Sequence, residues 1–256
     1  MYVLGIDIGS TACKGVVLNK NKEIVASGVI ASGTGTTGPD KLMEEIEKKS
    51  GLTLNDFDKI VATGYGRMQY EEADKQISEL TCHTRGVAYL IPDVRTIIDI
   101  GGQDAKAIKV DLKGRMENFV MNDKCAAGTG RFLDVMANVL ETSIDNLEKL
   151  DEASKNAVSI SSTCTVFAES EVISHLSANA RVEDIVAGIH NSVAKRVASL
   201  AKRVGVSDRV VMVGGVAQNG GVVRAMQEAL EKEITVPPNA QLTGAIGAAL
   251  SALELK

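Results

Sequence analysis

Two cysteines sit where thiol chemistry is possible. Cys125 lies in Asn122-Asp123-Lys124-Cys125-Ala126-Ala127-Gly128-Thr129-Gly130-Arg131-Phe132, just ahead of a glycine-rich turn that opens a helix. Cys164 lies in Ser161-Ser162-Thr163-Cys164-Thr165, in the same relation to a second helix. Taken alone, either thiol reads equally well as a small buried residue or as a ligand. Cys13, at the start of a core strand, and Cys82, inside a helical stretch, read as core residues. The three histidines do not pair with a cysteine at ligand spacing, which speaks against zinc.

A second kind of chemistry repeats. Asp7-Ile8-Gly9-Ser10-Thr11 and Asp99-Ile100-Gly101-Gly102-Gln103 each end an apolar strand, and in each a lysine follows seven residues after the aspartate, Lys14 and Lys106. Glycine lets backbone N–H groups approach phosphate oxygens, and an aspartate at a strand end can hold hydrated Mg²⁺. A third apolar strand runs into Gly214-Gly215-Val216-Ala217-Gln218. Gln103 and Asp104 follow the second loop, where a side chain could orient an attacking water. Lys14 and Lys106 could reach phosphates or stay solvated. Arg67, after Gly64-Tyr65-Gly66, could contact phosphate or bridge two lobes.

These residues need elements to hold them. Strands are expected at Tyr2–Ile8, Lys14–Leu18, Glu23–Ile30, Lys59–Thr63, Thr96–Ile100, Ala107–Asp111, Arg209–Val213 and Thr235–Pro237. Hairpin turns are expected at Asn19–Lys22 and Lys113-Gly114. Apolar spacing predicts helices over Lys41–Lys49, Ile77–Leu90, Arg131–Glu141, Val166–Leu176, Ile185–Val204, Gly220–Lys232 and Gly244–Leu253. Glu169 and Glu171 fall near a helix start, where the dipole favours anions. Strands alternating with helices give an α/β fold, and the repeated strand-turn-strand suggests two related halves.

Composition narrows the classes. A 256-residue chain with 45% hydrophobic and 24% charged residues is an ordinary globular protein. A net charge of -5 gives nucleic-acid binding no electrostatic support, and 3% aromatics with no Trp gives it no stacking platform. There is no signal-like segment and no membrane-length apolar run, so a cytoplasmic protein with four free or ligating cysteines is expected.

Through the two Asp-Ile-Gly loops and Gly214-Gly215-Val216, the chain resembles the actin, hexokinase and heat-shock-chaperone superfamily. That implies duplicated ribonuclease-H-like lobes, 1–95 plus 241–256 and 96–240, with ATP in the cleft between them. Asp7, Asp99 and Gln103 would serve catalysis. Gly9, Ser10, Thr11, Lys14, Gly101, Gly102, Gly214, Gly215, Val216, Ala217 and Gln218 would hold the nucleotide and Mg²⁺. With Asn122–Phe132, Ser161–Glu171 and Ala62–Arg67 added, the chain looks like the ATP-dependent activators of 2-hydroxyacyl-CoA dehydratases, nearly end to end. That resemblance implies a homodimer sharing one oxygen-sensitive [4Fe–4S] cluster on Cys125 and Cys164 of both copies. It also implies an electron taken from ferredoxin or flavodoxin and injected into a dehydratase heterodimer. Such a cluster takes four thiolates, so two per chain require a two-fold axis. Helix N-termini after each cysteine would favour its negative charge. The ATPase subunits of benzoyl-CoA reductases share these loops. A small-molecule kinase would keep the ATP loops but leave the cysteines without a role, and a cluster-bearing sensor would need no ATPase activity.

Overall fold

The computed structural model describes residues 1–161 and 164–255. The chain divides into two compact units. The first comprises Met1–Val94, Val110–Glu117 and Pro237–Lys256, the second Arg95–Lys109 and Asn118–Val236.

The first unit runs β1 (Tyr2–Ile8), β2 (Cys13–Asn19), β3 (Ile24–Ile30), α1 (Gly38–Ser50), β4 (Lys59–Thr63), β5 (Lys75–Gln76) and α2 (Glu79–Leu90). Its strands lie in the order β3-β2-β1-β4-β5, antiparallel through β1 and parallel beyond. Period-two alternation sorts the side chains of β1. Leu4 and Ile6 pack with Leu42 and Ile46 of α1. Val3 packs with Ala245, Ala248 and Ala249 of a late helix that belongs to this unit. Between them, Gly5 is pressed against that helix's backbone, where a Cβ would run into the Ala245 carbonyl.

The second unit repeats the plan. It contains β6 (Thr96–Ile100), β7 (Ala105–Val110) and β8 (Met116–Asn122) except for Val110, Met116 and Glu117 at their turn ends, which fall in the first unit, then α3 (Gly130–Val139), α4 (Leu147–Glu152), α5 (Thr165–Ser177), α6 (Val182–Val204), β9 (Val210–Val213), α7 (Gly220–Leu230) and β10 (Ile234–Thr235). The strand order is β10-β9-β6-β7-β8, the same succession as in the first unit. Every residue of β6 is buried, as expected of a strand covered on both faces. The last helix, α8 (Thr243–Ala252), is buried at all ten positions, which explains its small residues. It packs against α2, where Gly86 and Gly247 permit close backbone approach.

The α/β class, the duplicated architecture and most elements agree with expectation. Helix α3 stops at Val139 and α7 at Leu230, just before Glu141 and Glu231 take left-handed φ. The unforeseen elements are β5, α4 and β8. Strand β8 is mostly exposed, so it has no apolar alternation to read. Among the described residues, no helix is long and apolar enough to cross a membrane.

Candidate functional site

The two Asp-Ile-Gly hairpins are built alike. Antiparallel register sets Asp7 opposite Lys14 and Asp99 opposite Lys106. The turn closes with the Gly9 N–H on the Ala12 carbonyl at 3.0 Å, and the Gly101 N–H on the Asp104 carbonyl at 2.9 Å. Seven-residue spacing is therefore the spacing of cross-strand neighbours. Lys14 donates to Asp7 Oδ2 at 3.3 Å and Lys106 to Asp99 Oδ2 at 3.2 Å. Lys106 also reaches Asp104 at 2.8 Å. Lys106 is shut off from solvent at 1% exposed, while Lys14, 19% exposed, is partly so. Gln103 and Thr11 lie exposed at the turns, with Ser10 half-buried.

Asp7 Oδ1 is buried and has no hydrogen-bond partner among the described residues. An oxygen left so costs about 1–3 kcal/mol, which a ligand can recover. A hard anionic oxygen suits Mg²⁺ or a water bound to it, so this carboxylate fits that ion.

The repeat extends to the fourth strand of each unit. β4 runs into Gly64 with φ 87°, and β9 into Gly214 with φ 89°. A Cβ at Gly64 would strike Asp7 Oδ1 and the Ile8 carbonyl; at Gly214 it would strike Asp99 Oδ1 and the Ile100 carbonyl. Left-handed backbone and lack of space both demand glycine. Each aspartate thus sits under a glycine of the neighbouring strand. Sequence reading missed that Gly64 is the counterpart of Gly214, although an apolar strand running into glycine was the available signal. Arg67 donates to the Gly64 carbonyl at 2.9 Å and so braces its own loop.

Gly215–Gln218 form a single 3₁₀ turn. Val216 and Ala217 are buried, so only their backbone could meet a nucleotide, while Gly215 and Gln218 are exposed. The next residue, Asn219, accepts the Val222 N–H at 3.1 Å and caps α7. Its amide nitrogen lies 3.3 Å from His190 Nε2, and His190 Nδ1 lies 3.0 Å from Asp151 Oδ1. The amide can only donate, which assigns the His190 proton to Nδ1. Arg224 binds the other Asp151 oxygen at 2.8 Å. Burial alone would raise the Asp151 pKa, but hydrogen bonds from His190 and Arg224 outweigh it and hold the carboxyl below its usual range. No motif flagged this buttress, because its members come from α4, α6 and α7.

The four thiols divide cleanly. Cys13 and Cys82 are buried, and burial pushes both up to about 11. Cys125 is half-buried and Cys164 exposed, both in the second unit. Cys164 is the N-cap of α5, and the Ala168 N–H bonds its carbonyl at 2.9 Å. Glu171 of α5 accepts the Ser161 N–H at 3.0 Å, tying down the approach to Cys164. Ser162 and Thr163, between them, lie outside the described residues.

Cys125 differs from expectation. It is not at a helix N-terminus. The first N–H groups of α3 are spent on the second loop, Gly130 on the Gly101 carbonyl at 2.9 Å and Arg131 on the Gly102 carbonyl at 2.7 Å. The cysteine sits in the preceding loop, held by Asn122. That side chain donates to the Cys125 carbonyl at 2.8 Å and accepts the Cys125 N–H at 3.2 Å. The dipole argument therefore applies to Cys164 alone. The Gly130 and Arg131 bonds, five and six residues after Cys125, join this stretch to the second phosphate-type loop.

The sequence model of the BadF/BadG/BcrA/BcrD ATPase family matches residues 4–252. The chain is 65% identical to the 2-hydroxyisocaproyl-CoA dehydratase activator of Clostridioides difficile, over 99% of this chain and 96% of that protein. It is 56% identical to the activator of lactoyl-CoA dehydratase of Anaerotignum propionicum, over 99% and 98%. The solved activator of the 2-hydroxyisocaproyl-CoA dehydratase from Clostridium difficile, with bound ADPNP, superposes with a TM-score of 0.97 at 64% identity, over 99% of this chain and 95% of that one. A ROK family glucokinase from Streptomyces griseus, 12% identical, shares the fold alone, with a TM-score of 0.60 over 98% and 99%.

Proposed function

The chain belongs to the BadF/BadG/BcrA/BcrD ATPase family, and on that premise we propose that it is the activator of a 2-hydroxyacyl-CoA dehydratase. In this reading it hydrolyses ATP to drive a low-potential electron into its partner. The observation that carries the reading is the division of the thiols: two buried in the first unit, two accessible in the second.

Cys125 and Cys164 offer two thiolates, half the set a [4Fe–4S] cluster takes, so we assign the cluster to two copies of the chain. When bound, the cluster supplies one-electron storage at a potential set by its surroundings. Asn122 fixes the backbone at Cys125, and the α5 N-terminus faces Cys164 with a dipole suited to negative charge. Val166 and Phe167 follow Cys164 and are 66% and 68% exposed, apolar surface that a second copy would cover. A bridging cluster of this kind is poorly shielded and should be lost in air.

ATP is assigned to Gly9, Ser10, Thr11, Gly101 and Gly102 at the phosphates and to the Gly214–Gln218 turn at the adenosine. Asp7 and Asp99 would hold Mg²⁺, Asp7 through its unpartnered oxygen. Lys14 and Lys106 hold those carboxylates in place through their ion pairs. Gln103, exposed at its turn, would orient the water. The two compact units would be the lobes of the actin-like fold. The electron donor would be ferredoxin or flavodoxin and the setting cytoplasmic. The kinase reading gives the accessible thiols nothing to do.

The test is reconstitution. Anaerobically purified protein, chemically reduced, is mixed with a 2-hydroxyacyl-CoA dehydratase and ATP. Dehydration should require ATP and fail with air-exposed protein. Dehydration at full rate without ATP would overturn the assignment.

A further inference from the structure

The second unit contains a cavity of about 550 Å³ that none of the nucleotide loops lines. Its wall is one stripe of α6: Ser192, Lys195, Arg196, Ser199 and Arg203 recur at helical spacing. Lys124 adds a fourth cation from the loop of Cys125. Among the lining residues the carboxylate is Asp123, which lies 3.8 Å from Lys124. Four cations converge here in a chain whose net charge is -5. The floor is apolar, made by Ala105, Phe132, Ile160 and Leu200. The volume is that of a small-molecule site rather than a flat protein contact.

We propose that this cavity binds a phosphorylated small molecule, its phosphates on Lys195 and Arg203 and its less polar portion on the floor. Guanidinium and ammonium groups suit phosphate oxygens, and the serine hydroxyls can donate to them. The cavity also touches the cysteine loop. Asn122, Ala127 and Gly128 line it, and Asn122 is the side chain that clamps Cys125. An occupant would therefore lie against the segment that fixes one of the accessible thiols. A coenzyme A moiety and free polyphosphate share this chemistry, and the two are distinguished by the floor.

The experiment is calorimetric titration of the anaerobic protein saturated with ADP, so that the nucleotide loops are occupied. The probes are coenzyme A and inorganic pyrophosphate, each up to about 5 mM, the range in which a weak site still registers. Both should bind, and more weakly as salt rises. Lys195→Ala and Arg203→Ala, on exposed positions that do not threaten folding, should each weaken both probes about tenfold, the loss of one charge-assisted contact. Tighter binding of coenzyme A, reduced by Leu200→Asn without effect on pyrophosphate, would name the adenosine-bearing source. Equal binding would show that the apolar floor holds nothing and would overturn the proposal as stated. No binding of either probe, or affinities unchanged in Lys195→Glu/Arg203→Glu, would overturn the proposal. If that double variant instead lost only dehydratase or electron-donor binding, the stripe would be an acidic-protein contact and the small-molecule site would be rejected.

Discussion

The two units share a hairpin, a strand order and a glycine packed over the aspartate, yet only the second has accessible thiols. The difference lies between the third and fourth strands. In the first unit α1 is the one α-helix there; in the second the same interval holds α3, α4, α5 and α6, with Cys125 before the first of them and Cys164 capping the third. One hairpin position is especially telling. Cys13 pairs with Ile8 as Ala105 pairs with Ile100. Where the duplication puts a cysteine in one unit it puts an alanine in the other, which marks Cys13 as a small core residue. A shared frame preserves the Asp-Ile-Gly chemistry, and an insertion adds the thiol chemistry to one copy.

The largest effect expected from breaking this comparison is on iron. Cys125→Ala or Cys164→Ala should abolish cluster incorporation, while Cys13→Ala and Cys82→Ala keep it, as read by iron content and visible absorbance. A cluster retained in Cys164→Ala would remove the contrast between the units.

Next comes hydrolysis. Asp7→Asn and Asp99→Asn should each lower ATPase turnover by about a hundredfold, the scale of losing one transition-state contact, and leave cluster content normal. Full activity in both would mean that the hairpins do not bind the nucleotide.

The lysines sharpen the comparison through stability. Lys106 is 1% exposed between two carboxylates, so Lys106→Ala should cost about 3–5 kcal/mol by leaving buried charge unpaired. Lys14 is 19% exposed, and Lys14→Ala should cost about 1 kcal/mol because solvent can take over part of the lost pairing. Denaturant midpoints at constant m-value would compare them; equal losses would contradict the asymmetry.

The smallest effect is in thiol reactivity of cluster-free protein. Cys13 and Cys82, pushed to about 11 by burial, have little thiolate at neutral pH. Alkylation followed by peptide mapping should label Cys125 and Cys164 first. The folded pKa lies above the unfolded one, so the buried thiols add stability below about pH 9 that is lost as pH rises through about 11. Equal labelling of all four at pH 8 would show the burial pattern to be wrong.

Legibility in the sequence followed locality. Strand-turn-strand hairpins announce themselves within a dozen residues, so both Asp-Ile-Gly loops and the Lys spacing were visible, although the lysines' binding to aspartate needed the register. Strand β8 was hidden because an exposed edge strand has no apolar alternation. The His190 buttress and the basic stripe of α6 were hidden because each combines residues that are distant in sequence. The glycine-rich turn after Cys125 suggested an open helix terminus, but the backbone of Gly101 and Gly102 already occupies it.

Native mass spectrometry of the anaerobic protein tests the central claim most directly. The account predicts a species of two chains with one four-iron, four-sulfur unit, reverting to bare chains on exposure to air. A single chain holding a whole cluster, or a pair holding two, would contradict it.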